Sequence, residues 1–226
     1  MNTRKTDRWK IKQSLKIISL GLRKYQHRVA VAWAGGLDSM ALLHLTRSVS
    51  KDVGHLPVLF LDSGFESKQT YDLLRTLKKE WQLSVIRVTD KATLRQYRKT
   101  RSKSKRKELL AKMKIRALKK AVREYRLRAI FVGVRWEEQE AYESEVYVSP
   151  RKKHVRVHPL LHFSRKDIAN YMKEFHVPHR PMDDWELQTP SKPSFIRRIV
   201  RTETLTEPKK KEKLKVTQRL RETGYF

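Results

Sequence analysis

What most constrains the fold is an alternation. Five short apolar runs, Val29–Trp33, Pro57–Asp62, Ser84–Val88, Ala129–Val134 and His154–Leu160, are separated by stretches whose apolar residues recur every three or four positions. Runs of this length read as strands, and the stretches between them as helices with one buried face. Met40–Leu45 follows Asp38-Ser39, a pair able to cap a helix. Tyr71, Leu74, Leu77 and Trp81 share one helical face; Leu110, Met113, Ala117 and Ala121, with Leu118, Val122 and Tyr125 beside them, share another. Ser164 opens a further helix, with Asp167 as its acidic capping partner and Ile168, Tyr171, Met172 and Phe175 behind it. Ile11, Leu15, Ile18 and Leu22 mark an amphipathic helix ahead of the first strand. Such alternation requires a mostly parallel sheet covered on both faces, so the chain reads as an α/β, doubly wound fold. Pro178, Pro181, Pro190 and Pro193 end the pattern, which divides the chain into a body at 1–177 and an extended basic C-terminal tail at 178–226.

Charge and cysteine content narrow the function classes. Fifty-three Lys and Arg against 24 Asp and Glu give a net charge of +29, which makes anions the natural partners. The 226 residues contain no cysteine, so disulfides, thiolate zinc sites and cysteine nucleophiles within them are excluded. No apolar stretch reaches the length of a membrane span, and lysines interrupt the first apolar segment where a secretory signal would be continuous. A cytoplasmic protein with no membrane partner is the expectation.

The stretch Ala34-Gly35-Gly36-Leu37-Asp38-Ser39 joins the first strand to the first helix of the alternation. Backbone N–H groups at a helix N-terminus favour phosphate oxygens, and two glycines let a ligand approach the backbone closely. Ser39 adds a hydroxyl, and Asp38 either caps the helix or helps to hold a metal beside phosphates. A tight strand-to-helix connection without a ligand is the alternative. The pattern is neither GxGxxG nor GxxxxGK[ST], which sets aside the dinucleotide fingerprint and the Walker loop.

Several segments in order carry a resemblance. AGGLDS (Ala34–Ser39) resembles the SGGxDS pyrophosphate loop of the PP-loop ATP pyrophosphatases. Leu61–Trp81 resembles the DTG segment and following helix of phosphoadenosine phosphosulfate reductases and of the sulfate adenylyltransferase small subunit. Met113–Tyr125 followed by Phe131–Glu143 is similar to that subunit's lysine-bearing helix and G-x-R-x-x-E segment, Val155–Met172 to the family's PL strand and helix, and Arg221–Phe226 to the small subunit's C-terminus.

The resemblance implies a Rossmann-like sheet of the adenine nucleotide alpha hydrolase type that binds ATP with Mg2+ at the C-terminal ends of its strands, or an adenylyl sulfate in the reductases. It also implies a nucleotidyltransferase-like reaction: attack at the α-phosphate and release of pyrophosphate, with an oxyanion such as sulfate as acceptor. Gly35, Gly36, Asp38 and Ser39 would hold the pyrophosphate, with Ala34 in the place of the loop's first serine. Asp62 and Gly64 would lie by the nucleoside. Lys114 and Arg135 would neutralise charge at the α-phosphorus, and Glu138 would orient Arg135 or the metal. A GTPase large subunit is allowed as a partner. The absent cysteine removes the thiol that the reductases require, while Ala34 removes one hydroxyl contact and leaves a non-catalytic binding protein as the contrasting class.

Residue by residue, plainer roles stand beside these: Asp62 as a helix cap, and Lys114 and Arg135 as surface charges. Between Arg95 and Arg128 lie 16 Lys or Arg against two Glu, either a solvated helix face or a surface for RNA. His154, His158 and His162 do not share one helical face, which reads as strand and loop positions rather than a metal site. Trp33 and Trp81 read as core, and Trp136 as a wall of the nucleotide site.

Overall fold

The computed structural model describes residues 7–49, 56–138 and 146–184. In chain order it contains α1 (Arg8–Tyr25), β1 (Val29–Ala32), α2 (Leu37–Val49), β2 (Val58–Leu61), α3 (Lys68–Glu80), β3 (Val85–Val88), α4 (Lys91–Lys99), α5 (Lys103–Glu124), β4 (Ala129–Phe131), β5 (Val148–Pro150), β6 (Val155–Val157) and α6 (Arg165–Glu174). The strands form one six-stranded sheet in the order β3-β2-β1-β4-β6-β5. Every pairing is parallel except that of β5 with β6.

Alternation along the strands sorts the core into two layers. Val29, Val31, Val58, Phe60 and Phe131 point into the layer that holds α2 and α6, with Met40, Leu42, Leu43, Tyr171 and Met172. Ala30, Leu59, Ile86 and Ile130 point the other way, against Ala117, Leu118, Ala121 and Val122 of α5. A strand buried on both faces must be apolar at every position, which is why these runs look continuous in the sequence. The doubly wound expectation holds.

Two elements depart from the sequence reading. β5 is an antiparallel edge strand that ends at Pro150, a residue tolerated in sheets at edges because it cannot donate to a ladder. Helix α4 carries only Leu94 and Tyr97 as large apolar residues, too few to register as an apolar face. Trp33 is core, with its indole N–H on Met40 and its ring edge-on to Phe60, and Trp81 packs partly buried under the Arg47 guanidinium.

Residues 178–184, within the expected tail, fold back over the start of α3. Arg180 donates to Thr70 Oγ1, and the Met182 N–H reaches Gln69. The tail from 185 onward, including Lys209–Lys211 and Arg221–Phe226, lies outside the described residues.

Candidate nucleotide site

Strand order reverses between β1 and β4: β2 and β3 continue to one side, β6 and β5 to the other. In open α/β sheets, ligands bind beyond the strand C-termini at such a switch point. Here the two segments leaving that point are Trp33–Gly36 after β1 and Val132–Arg135 after β4. They come very close. A Cβ placed on Gly133 would lie 2.9 Å from the Asp38 carbonyl oxygen and 3.3 Å from the Ser39 nitrogen.

Gly36 occupies the capping position of α2, because its carbonyl accepts the first helical bond, from the Met40 N–H at 3.0 Å. Asp38 and Ser39 therefore sit within the first turn and do not cap it, a correction to the sequence reading. Ser39 Oγ instead donates to the Gly36 carbonyl and accepts from the Ala34 N–H, which closes the loop on itself. A glycine has no side-chain acceptor for the first-turn N–H groups, so those donors are left for solvent or a ligand. Space is available among the described residues, since a Cβ on Gly36 would meet none of their heavy atoms within 4 Å beyond its chain neighbours. Gly35 is held at φ +78°, which bends the chain away from the strand.

Arg135 closes the other side. It is 6% exposed, donates from Nε to Asp38 Oδ1 at 2.5 Å and from Nη1 to Glu137 Oε1 at 2.6 Å. Glu137 Oε1 also accepts the Arg165 N–H at the start of α6. Arg135 is thus locked between the first turns of two helices, far from the ordinary surface charge that its composition allowed. Among the described side chains Glu137 is a carboxylate on this guanidinium; Glu138 ends the short 3-10 turn Trp136–Glu138 and its side chain lies outside the described residues. Trp136 stands beside Tyr147, ring centroids 5.7 Å apart.

At the end of β2, Asp62 is 3% exposed and fully engaged. It accepts from the Gly64 N–H and Tyr71 Oη at 2.7 Å each, and from Arg87 Nε and Nη2 at 2.7 and 2.5 Å. Burial pushes its carboxyl up, but the bonds from Gly64, Tyr71 and Arg87, with the Arg87 charge, outweigh burial and hold it below the usual carboxylate range. Burial and the Asp62 hydrogen bond raise the Tyr71 phenol to about 12. Asp62 does not cap α3; Ser67 does. It shapes the turn at Gly64, which sequence reasoning could not show because Arg87 comes from the neighbouring strand.

Lys114 stands apart. It is half-buried midway along α5, the helix of the opposite face, and makes no hydrogen bond or ion pair among the described residues. The structure therefore brings together Ala34–Ser39 and Arg135 and sets Asp62 and Gly64 just past the end of the next strand, while Lys114 makes no hydrogen bond or ion pair with any of them. His158 is buried, and His162 bonds the Lys10 carbonyl and Tyr147. Among the described residues no helix is long and apolar enough to cross a membrane.

The family model for the phosphoadenosine phosphosulfate reductase domain matches residues 28–188, which contain both segments of the switch point. The chain belongs to the phosphoadenosine phosphosulfate reductase family. Among its relatives, the adenosine 5'-phosphosulfate reductase of Bacillus cereus (strain 03BB102) is 25% identical over 180 residues, 76% of this chain and 75% of that protein. The enzyme of the same name from Lysinibacillus sphaericus (strain C3-41) is 25% identical over 178 residues, 76% and 74% of the two chains. These named relatives are reductases, not sulfate adenylyltransferases.

Solved structures share the fold. The phosphoadenylyl-sulfate reductase of Candida auris, a phosphate complex, superposes with a TM-score of 0.63 at 16% identity, over 76% of this chain and 84% of that one. The FMN adenylyltransferase of Candida glabrata, in complex with FAD and inorganic pyrophosphate, gives 0.60 at 17% identity, over 77% and 58%. The family therefore joins reductases to a scaffold that is also found in an adenylyltransferase, and this member keeps that scaffold with no cysteine in its 226 residues.

Proposed function

We propose that this family member binds an adenine nucleotide with its phosphates on the α2 N-terminus and catalyses adenylyl transfer from ATP. An acceptor oxygen attacks the α-phosphorus, the bond to the bridging oxygen of the β-phosphate breaks, and pyrophosphate leaves. The observation that carries this reading is the pairing of an unobstructed, glycine-capped helix N-terminus with a buried arginine across from it, in a chain that has no thiol. A reductase that attacks sulfur with its own cysteine cannot be built from these residues. Attack at phosphorus needs none, because positioning and charge stabilisation account for most of phosphoryl-transfer catalysis.

The residues divide the work. First-turn N–H groups of α2 receive phosphate oxygens. Asp38 and Glu137 aim the Arg135 guanidinium, which meets negative charge as the α-phosphorus is attacked. Asp62 sets the turn at Gly64 beside the nucleoside, and Lys114 would supply a second cation for the phosphates. Mg2+ fits one carboxylate plus substrate phosphates: Asp38 offers its second oxygen, while no group of three His, Cys, Asp or Glu suited to a metal exists among the described residues. Bound there, it would neutralise phosphate charge. Sulfate is the first acceptor to try, and a GTPase partner belongs to the same proposal.

Ala34 favours a second reading, nucleotide binding without turnover, because a methyl group stands where the loop's hydroxyl would contact phosphate. Pyrophosphate release from Mg-ATP, measured with sulfate, other oxyanions and RNA, separates the two. In the catalytic reading Arg135→Ala lowers turnover more than ATP affinity, since it removes an interaction made in the transition state. ATP binding with no pyrophosphate from any acceptor selects the second reading.

A further inference from the structure

Helix α5 presents to solvent a single row of cations. Lys105, Lys112, Arg116, Lys119 and Arg123 follow one another at steps of seven, four, three and four, which places them on one face. All five are exposed, on the side away from Met113, Ala117 and Ala121, which pack on the sheet. At 1.5 Å per residue the row is about 27 Å long.

Neutralisation within the protein is slight. The acidic residues of α5 are Glu108 and Glu124, and Glu124 faces Lys120 at 3.9 Å. Arg116 meets Asp90 at 3.8 Å and Thr93. Lys105, Lys112, Lys119 and Arg123 have no ion-pair partner among the described residues. Like charges at these spacings oppose the helix by a few tenths of a kcal/mol per pair. An extended anion along the row removes that repulsion, and a small oxyanion is too short to do so.

The upper end of the row carries a second feature. α5 runs antiparallel to the parallel strands, so its N-terminus lies at the sheet edge that holds the nucleotide site. There Phe65, just past β2 and 46% exposed, meets Tyr97 of α4 in a tilted contact with centroids 4.5 Å apart, and the Arg106 guanidinium lies 5.3 Å from the Tyr97 ring. An exposed ring, Phe65, backed by the half-buried Tyr97 beside a cationic track is an arrangement that receives unpaired bases and backbone together.

We propose that the outward face of α5 and the Phe65–Tyr97 pair bind an unpaired stretch of RNA and lead it to the rim of the nucleotide site. RNA fits better than DNA because its loops and ends keep bases unstacked and available to aromatic rings, whereas duplex bases are enclosed. Binding to this face stands without the chemistry proposed above.

The test is fluorescence anisotropy of the full chain with an unstructured 20-nucleotide RNA, without ATP, over a range of salt. Lys112→Glu with Lys119→Glu and Arg123→Glu weakens binding at least tenfold and flattens the salt dependence by about two log units per log unit, since single strands release roughly 0.7 counterion per contact. The corresponding Gln variants weaken it less, and Phe65→Ala weakens it at least fivefold with the salt slope unchanged. Unchanged melting temperatures show that these surface variants fold. Reversing Lys209, Lys210 and Lys211 serves as the control of equal charge. Equal losses from both triple reversals, or equal affinity for heparin or duplex DNA of the same length, overturn the proposal in favour of general attraction to polyanions. Tighter binding to single-stranded DNA than to RNA also overturns it. Pyrophosphate assays are read separately, so failure of adenylyl transfer leaves this result intact.

Discussion

Two helix N-termini in this molecule are finished in opposite ways. α6 starts at Ser164, whose hydroxyl accepts from the Asp167 N–H while the Asp167 carboxylate accepts from the Ser164 N–H; Lys10 then pairs with the same carboxylate at 2.5 Å. α2 starts at Gly36, which has no side chain to offer, and a Cβ built there would meet no heavy atom of the described residues beyond its chain neighbours within 4 Å. At the α6 end the N–H groups of Ser164, Arg165 and Asp167 all find side-chain acceptors within the protein. At the α2 end no side chain of the described residues accepts from the first-turn N–H groups, and around them the chain invests in rigidity: Ser39 ties the loop, Arg135 ties the segment after β4, and Gly133 permits the close approach. The difference separates a helix end that stabilises from one that receives a ligand.

Gly36→Val should break the comparison most sharply. The side chain enters open space and not the core, so the melting temperature stays within a few degrees. It nevertheless occupies the proposed phosphate position, and ATP affinity falls at least a hundredfold, about 2.8 kcal/mol at 1.4 per decade. Isothermal titration with Mg-ATP checks this, and unchanged affinity in a folded variant would sink the loop assignment.

Gly133→Ala comes next and acts in the other order. Its Cβ meets backbone at 2.9 Å, which cannot rotate away, so α2 and the end of β4 must separate. Overpacking of this kind costs about 1–3 kcal/mol. Denaturant melts should show that loss, with weaker nucleotide binding as its consequence. A neutral Gly133→Ala would mean that the two segments are less tightly coupled than their contact implies.

How far the sequence foretold this site depends on which residue is asked. β1, the glycine turn and α2 were legible because apolar continuity and Gly-Gly are local signals. β5 was not, since Val148–Pro150 is short, ends in proline and pairs only through the basic turn at 151–154. α4 was missed for lack of an apolar face. Within the site, that Asp38 and Glu137 face the Arg135 guanidinium depends on the close approach of the segment after β4 to the start of α2 and has no period to read. Asp62 shows the same limit, for Tyr71 and Arg87 reach it from a helix and a strand that no local pattern connects.

The α6 end offers a smaller and cleaner test. Ser164→Ala removes the hydroxyl's bonds to the Asp167 N–H and carboxylate, while the bond from the backbone N–H at 164 to that carboxylate remains, and it should cost about 1 kcal/mol of stability, with ATP affinity unchanged. Measured beside Gly36→Val, it gives the reciprocal pattern. Loss of nucleotide binding in Ser164→Ala would show that the two ends are coupled, through Glu137 and the Arg165 N–H, more strongly than their separate constructions suggest.

The smallest effect is the acid dependence of that same end. Burial raises the Asp167 carboxyl, while the bonds from Lys10 and from the hydroxyl and N–H of Ser164, with the Lys10 charge, lower it by more; the result lies below the ordinary value of 3.8. A folded-state pKa below the unfolded one means that the unfolded chain binds protons first as pH falls. The contribution of Asp167 is therefore complete above the unfolded value and is lost as pH drops through 3.8 toward the folded value. Other depressed carboxylates, Asp62 and Asp90, titrate in the same window, so the parent's acid curve alone cannot isolate it. The difference in stability between the parent and Asp167→Asn can. It should be constant from pH 7 down to about pH 5 and shrink below that. A difference that stays level through pH 3 would show that Asp167 acts on α6 through its shape and hydrogen bonds, with its charge contributing nothing.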